Sequence, residues 1–370
     1  MNGAVSSSEK LALKRSKEID EYLKKDKLLQ SQNKKGPKIL LLGSGDSGKT
    51  TVLKQMKLIH GNGFSKEERL EFKQRIFENI LECINTLIES LQLLNIPLHS
   101  KSNNFYSNQI KEFALNDFTQ SLILDKDKFT FPLYIINAIK MLWQDLGIKQ
   151  CFSRANEFFL QDTAEYMLDN LDRFVDPNFI PSDEDILKTR YRTTQISETK
   201  FHIDNLIYRI YDVGGQRSLR LVWAPYFEGE IHAIQFIVSL ASYDQQLVEA
   251  KNENRMIDSI ELFKSICDNK LLEGVNFILF LNKIDLFERK ILTSPIKDYF
   301  SDFEETNDDS KKLKNACRYF KNKFLCCNSQ TERKIYTHFT CGTDTALMKV
   351  TINAVRDIVT RLALQASGIY

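Results

Sequence analysis

The sequence predicts a doubly wound, mainly parallel α/β sheet with an all-helical domain inserted into it. Three observations carry this. An apolar run, Ile39-Leu40-Leu41-Leu42, leads straight into Gly43-Ser44-Gly45-Asp46-Ser47-Gly48-Lys49-Thr50-Thr51, the order of a buried strand, a glycine loop and a helix start. From about Phe64 to Asp185 glycines are few, and apolar residues recur at helical spacing, as in Phe72, Ile76, Ile80, Ile84, Leu87, Ile88 and Leu91. From Thr199 the period becomes strand-like, and short apolar segments then alternate with helical ones to the end.

Taken in order, residues 1–37 form a polar, lysine-rich arm in which Leu11, Ile19, Leu23 and Leu28 fall roughly on one helical stripe. Such an arm is either a disordered basic tail or an amphipathic helix that orders on a partner protein or an anionic membrane. Gly36-Pro37 stops it. The helix that starts at Lys49 runs to about Ile59 and is closed by His60-Gly61-Asn62-Gly63. The helical insert occupies 63–185, with Pro177 and Pro181 marking its exit, so the sheet domain is built from 38–62 and 186–370. Phe201 to Asp212 reads as two strands around a turn at Asp204-Asn205. Further strands are expected at Ala233–Ser239, Phe277–Leu281 and Ile335–Thr340, and a last helix from about Asp344 to Leu364. The acidic stretch Asp302 to Asp309 reads as a solvated loop.

Composition narrows the function. With 370 residues, 42% of them hydrophobic, the chain can bury a full core and is long enough for two domains of a soluble globular protein. A net charge of +2, with both signs interspersed, gives no reason to expect nucleic acid as a partner. Seven cysteines, among them the adjacent Cys326 and Cys327, show no C-x-x-C spacing and read as cytosolic thiols. The longest apolar runs, Ala233 to Ala241 and Val275 to Leu281, are too short to span a bilayer, and no N-terminal apolar segment points to export.

The residues with chemistry lie after strands. In Gly43 to Thr51, glycines let backbone N–H groups turn inward around phosphate oxygens, the following helix points its positive end at the anion, and Lys49 adds a charge. Thr50 is placed to offer its hydroxyl to Mg²⁺. In Asp212-Val-Gly-Gly-Gln-Arg217, Asp212 can hold Mg²⁺ through water, Gly215 can offer its N–H to a terminal phosphate, and Gln216 can orient an attacking water. In Asn282-Lys283-Ile284-Asp285 the carboxylate can accept from the N1–H and 2-amino group of guanine, which favours GTP over ATP. Thr340-Cys341-Gly342-Thr343 could bring a backbone N–H to the guanine carbonyl. Before the second strand, Arg190 is the arginine expected at the charge developing between the β- and γ-phosphates, with Arg192 competing for that role, and Thr193 is the second Mg²⁺ hydroxyl.

Taken with K-Q-M-K-L-I-H, F-L-N-K-x-D-L-F and the Tyr336 to Thr345 block, these motifs closely resemble the alpha subunits of heterotrimeric G proteins, over nearly the whole chain. The resemblance implies a P-loop GTPase domain of the Ras-like kind and a slow hydrolysis of GTP to GDP and phosphate with Mg²⁺ as cofactor. It also implies that Leu187, Lys188 and Thr189 border the nucleotide together with the residues above, Lys188 near the ribose. Implied partners are a beta-gamma dimer, a seven-helix receptor, an effector and a GTPase-accelerating protein, at the inner face of the plasma membrane.

Several positions depart from the family pattern. Asp46 stands where Glu is usual, so its link to Arg190 is open, and Lys188 replaces a planar arginine fork by a point charge. Gln195 adds a side chain where accelerating proteins would dock, and Leu219, Leu221 and Val222 make the second mobile segment more apolar. Met1-Asn2-Gly3 is one residue out of register for myristoylation and the arm has no cysteine, so the expectation is attachment through partners. Two alternatives are a nucleotide-loaded binding module that scarcely hydrolyses and a phosphate-loop kinase.

Overall fold

The computed structural model describes residues 36–114, 130–193, 195–203, 206–228, 231–247, 249–250 and 253–366. The basic arm, the Asp204-Asn205 turn and Ser367 to Tyr370 lie outside them. Strand β1 (Lys38–Leu42) leads into helix α1 (Lys49–His60). Helices α2 (Lys66–Leu93), α3 (Asn103–Glu112), α4 (Leu133–Trp143), α5 (Leu146–Ser153), α6 (Ala164–Asp169), α7 (Leu171–Phe174) and α8 (Asp183–Lys188) follow. Then come β2 (Ser197–Ile203), β3 (Leu206–Asp212), α9 (Ala224–Phe227), β4 (Ala233–Ser239), α10 (Arg255–Cys267), β5 (Asn276–Asn282), α11 (Ile284–Lys290), α12 (Asp309–Leu325), β6 (Ile335–Phe339) and α13 (Thr345–Ala366).

Six strands make one sheet in the order β2-β3-β1-β4-β5-β6. All pairings are parallel except β2 with β3. The central strands are almost wholly buried and mostly apolar because both faces of the sheet are covered. Ile39 and Leu41 join a core with Val52 and Met56 of α1 and with Met348 and Ile352 of α13. Leu40 and Leu42 point the other way, into a core with Phe263 of α10 and Phe320 of α12. Register aligns the strands' carboxyl ends: Leu41 lies opposite Asp212, and Ser239 opposite Asn282. The loops after these strands therefore open onto one rim.

The helices from α2 to α7 share a separate apolar core, drawn from residues between Ile76 and Phe179. The start of α2 is set by a reciprocal capping box between Ser65 and Glu68. Of its expected apolar stripe only Phe72 escapes full burial; it packs edge-on against Phe64 and lies under Lys54. The acidic stretch is a loop only in part. Asp308 caps α12 through Ser310 N–H, and Asp302 accepts from Tyr319 Oη and Lys323 Nζ.

Candidate functional site

A cavity of about 480 Å³ opens at this rim, between the sheet's loops and the helical segment. Its floor is the loop from Gly43 to Gly48. Gly43, Asp46 and Gly48 all have positive φ (140°, 55° and 103°), which turns successive N–H groups to the inside of the curve. Helix α1 starts from Gly48 with no side-chain cap and no acidic residue in its first turn, so its free N–H groups face the cavity and suit an anion. Lys49 is buried there, its Nζ donating to Gly43 O at 2.9 Å and Ser44 O at 2.8 Å. Burial brings its pKa down to about 8, against the pull of Asp212.

Three oxygens meet beside it. Thr50 Oγ1 lies 2.9 Å from Thr193 Oγ1 and donates to Asp212 Oδ2 at 3.1 Å, while Thr193 Oγ1 reaches the same carboxylate oxygen at 3.4 Å. Asp212 Oδ1 is buried without a partner. Burial raises the Asp212 carboxyl, with Lys49 and the two hydroxyls opposing. This donor set fits Mg²⁺, a hard cation that takes oxygen ligands and fills the remaining positions with water and phosphate oxygens. Among the described residues no cluster of three or more His, Cys, Asp or Glu offers another metal site.

Arg190 closes the cavity from the far side. Its Nε donates to Asp46 Oδ1 at 2.8 Å and its Nη1 to Glu82 Oε1 at 3.1 Å. Asn79 clamps its peptide, Oδ1 accepting from Arg190 N at 2.6 Å and Nδ2 donating to Arg190 O at 3.2 Å. The link to Asp46 left open by the shorter side chain is therefore made. Burial alone would raise the Asp46 carboxyl, but Arg190 and Arg255 hold it at about 2. Arg192 takes a different partner: its Nη2 donates to Gln216 Oε1 at 2.9 Å. Gly215 is packed so tightly that a Cβ there would sit 2.3 Å from Lys49 Nζ and 2.4 Å from Gly43 O.

At the other end, Asp285 stands exposed in the first turn of α11, lining the cavity. Asn282, read from sequence as a nucleotide ligand, lines the cavity and also binds the protein: Nδ2 donates to Ser47 O at 2.9 Å, and Oδ1 accepts from Gly342 N and Thr340 Oγ1, each at 3.0 Å. It ties three loops together. The N–H of Gly342 is thus already engaged, and a base carbonyl would have to share it. Lys188 lines the cavity, its Nζ donating to Glu184 Oε1 at 2.8 Å and lying 3.8 Å from the centroid of the Tyr166 ring. Lys283 Nζ bridges Asp46 O, at 2.6 Å, and the Asp162 carboxylate. Thr51, Leu187 and Thr189 also line the cavity.

A model of the G-protein alpha subunit family matches residues 13–359. The chain belongs to that family. It is 41% identical, over the full length of both chains, to the guanine nucleotide-binding protein subunit alpha of Cochliobolus heterostrophus. It is 40% identical, again over both full lengths, to the G-protein complex alpha subunit gpaA of Aspergillus fumigatus and to the guanine nucleotide-binding protein alpha-1 subunit of Neurospora crassa. The six-stranded sheet and the helical layer are those of a Ras-like GTPase domain with a helical domain.

Several site residues of this alpha subunit carry no motif. Asn79, Glu82, Phe159 and Asp162 come from the helical segment, and Arg255 from α10, whose Nη2 donates to Gly45 O at 2.9 Å. Lys54 left one signal: it falls on the buried face of α1 with Val52, Gln55 and Met56. Its Nζ donates to Ile186 O at 2.9 Å and Thr189 O at 2.6 Å, holding the end of α8 just before Arg190, and burial brings its pKa to about 7. Lys54→Met is expected to leave these carbonyls without a donor and to cost about 1–3 kcal/mol of stability. Chemical unfolding measures this, and an unchanged midpoint would contradict it.

Proposed function

We propose that this alpha subunit is a molecular switch that binds GTP with Mg²⁺ and hydrolyses it slowly, relaying signals from a seven-helix receptor to an effector. The observation that carries this reading is the convergence of Lys49, Arg190, Gln216 and Gly215 on one end of a cavity whose other end presents Asp285. In this reading the chain divides into an arm (1–37), a GTPase domain (38–62 and 186–370) and a helical insert (63–185).

The geometry supports the following roles. Asp285 accepts from guanine, and the loop amides with Lys49 hold the phosphates. Thr50 and Thr193, with Asp212 through water, would hold Mg²⁺, which supplies neutralisation of phosphate charge. Arg190 is already aimed across the phosphate loop and stabilises charge developing on the bridging oxygen; this cis arginine is the role for which this family is itself the standing example. Gln216 releases Arg192 and turns its carboxamide to the attacking water. The segments around Thr193 and Gly215, both touching the terminal phosphate, relax when it leaves, and a beta-gamma dimer can rebind. The protein attaches at the inner face of the plasma membrane through its partners, and no described helix is long and apolar enough to cross a membrane. An accelerating protein would meet the exposed Gln195.

Purified protein with Mg²⁺ and GTP should release phosphate in a slow single turnover, and ATP should not substitute. A second reading, a nucleotide-loaded binding module, is favoured by one contact: Arg192 occupies the Gln216 oxygen that a water would need. Absence of measurable hydrolysis with GTP tightly bound would select it.

The charge on Lys49 gives a pH test. Nucleotide-free protein loses this proton near pH 8, while phosphate oxygens favour the ammonium, so above that pH binding must take up a proton. The GDP dissociation constant should be flat below about pH 8 and rise about tenfold per unit beyond it. Equal affinity at pH 7 and pH 9 would rule out this role.

A further inference from the structure

Phe159 belongs to the helical segment but serves none of its core. Its neighbours Phe158 and Leu160 pack into the cluster between α2 and α7, whereas the Phe159 ring lines the nucleotide cavity. Two guanidiniums lie against that ring, Arg190 with Cζ 5.1 Å from the centroid and Arg255 with Cζ 5.7 Å. Both are also drawn to one carboxylate: Arg190 Nε is 2.8 Å from Asp46 Oδ1, and Arg255 Nη2 is 3.8 Å from Asp46 Oδ2. Two cations gathered at a single anion repel one another, and Glu82 relieves only Arg190. An aromatic face carries the negative side of a quadrupole, so a ring in contact with both offsets part of that repulsion without itself ionising.

We propose that Phe159 is a positioning residue that acts through Arg190, holding the arginine over the phosphate loop by presenting one ring to Arg190 and Arg255. The proposal rests on the hydrolytic reading above and makes it specific. Restraint of Arg190 comes from the phosphate loop through Asp46 and from the helical segment through Asn79, Glu82 and Phe159. When the helical segment swings away, the ring leaves with it. Alignment of the arginine is thereby conditional on closure of the cavity, beyond the effect of closure on water access.

The test uses the full chain and two readouts. Phe159→Leu keeps apolar bulk but removes the ring face; Phe159→Tyr keeps the face. Single-turnover hydrolysis of GTP with Mg²⁺ should slow roughly 3- to 30-fold in Phe159→Leu, the range a cation–ring contact supports, and stay within about twofold of the parent in Phe159→Tyr. In an Arg190→Ala background, Phe159→Leu should have no further effect, because the residue through which it acts is gone. Amide hydrogen exchange over residues 186–193, measured without added nucleotide, should quicken in Phe159→Leu and not in Phe159→Tyr. Equal slowing in both backgrounds, a parent rate in Phe159→Leu, or unchanged exchange would each overturn the proposal. Should the parent not hydrolyse GTP, exchange alone decides: faster exchange keeps Phe159 as the positioning residue for Arg190 while the hydrolytic reading falls.

Discussion

Gln216→Leu and Arg190→Cys are each expected to slow single-turnover GTP hydrolysis by about 10²–10³-fold while GDP and GTP remain bound. The two losses have different origins. Leucine keeps the bulk beside Gly45 but cannot accept from the water or donate to a phosphate oxygen, so the nucleophile is no longer oriented. Cysteine at 190 removes the guanidinium that spans Asp46 and Glu82, and with it the positive charge proposed to act on the bridging oxygen. Arg190→Lys should lose nearly as much. A single ammonium cannot donate from two separated nitrogens, so it cannot face Asp46 and Glu82 together in the geometry of the fork. Phosphate release after mixing preloaded protein with Mg²⁺ measures all three, and parent rates in both Gln216→Leu and Arg190→Cys would remove these side chains from the chemistry. Nucleotide affinity serves as the control, since the phosphate loop and Asp285 are left intact in every variant.

The sheet was legible because its strands are buried on both faces. Ala233 to Ser239 is fully buried although it carries Gln235 and Ser239; Ile39 to Leu42 and Phe277 to Leu281 are apolar throughout, and each ends at a loop whose residue types suit phosphate or base. Asp212, Lys49 and Asp285 could be placed from sequence for that reason. What sequence could not give was the far wall of the cavity. Asn79 and Glu82 sit on the polar edge of an amphipathic helix and look like any solvated pair there; only the fold of the insert brings them to Arg190. Phe159 sits between two core residues and reads as a third. The Arg190 and Arg192 alternatives were separable only by direction: one reaches Asp46 of the phosphate loop, the other Gln216. Asn282 shows what a motif leaves out. It lines the cavity as its motif position suggests, but its amide also fastens the loops that form the site.

At the base end, Asp285→Asn is expected to weaken GDP binding by about 10²-fold or more and to confer binding of xanthosine diphosphate. Guanine presents two adjacent donors, N1–H and the 2-amino group, and a carboxylate answers both with acceptors, each a charge-assisted bond of about 1.5–3 kcal/mol. An asparagine offers one acceptor and one donor, so its NH₂ would face the 2-amino group donor to donor. Xanthine carries a carbonyl at that carbon, which turns the mismatch into a matched pair. The change should be local. Asp285 is exposed in the first turn of α11, and its partner among the described residues is the Cys341 thiol, from which an asparagine oxygen can still accept. Replacing a helix-start carboxylate by an amide costs only a few tenths to about 1 kcal/mol. Equilibrium binding of the two diphosphates to parent and variant separates the possibilities. A variant that kept parent affinity for GDP would mean that the base is read elsewhere, and the assignment of guanine to this end of the cavity would fail. A variant that lost GDP and gained nothing from xanthine would point instead to a collapsed loop, which the circular dichroism and unfolding midpoint of the same sample would reveal.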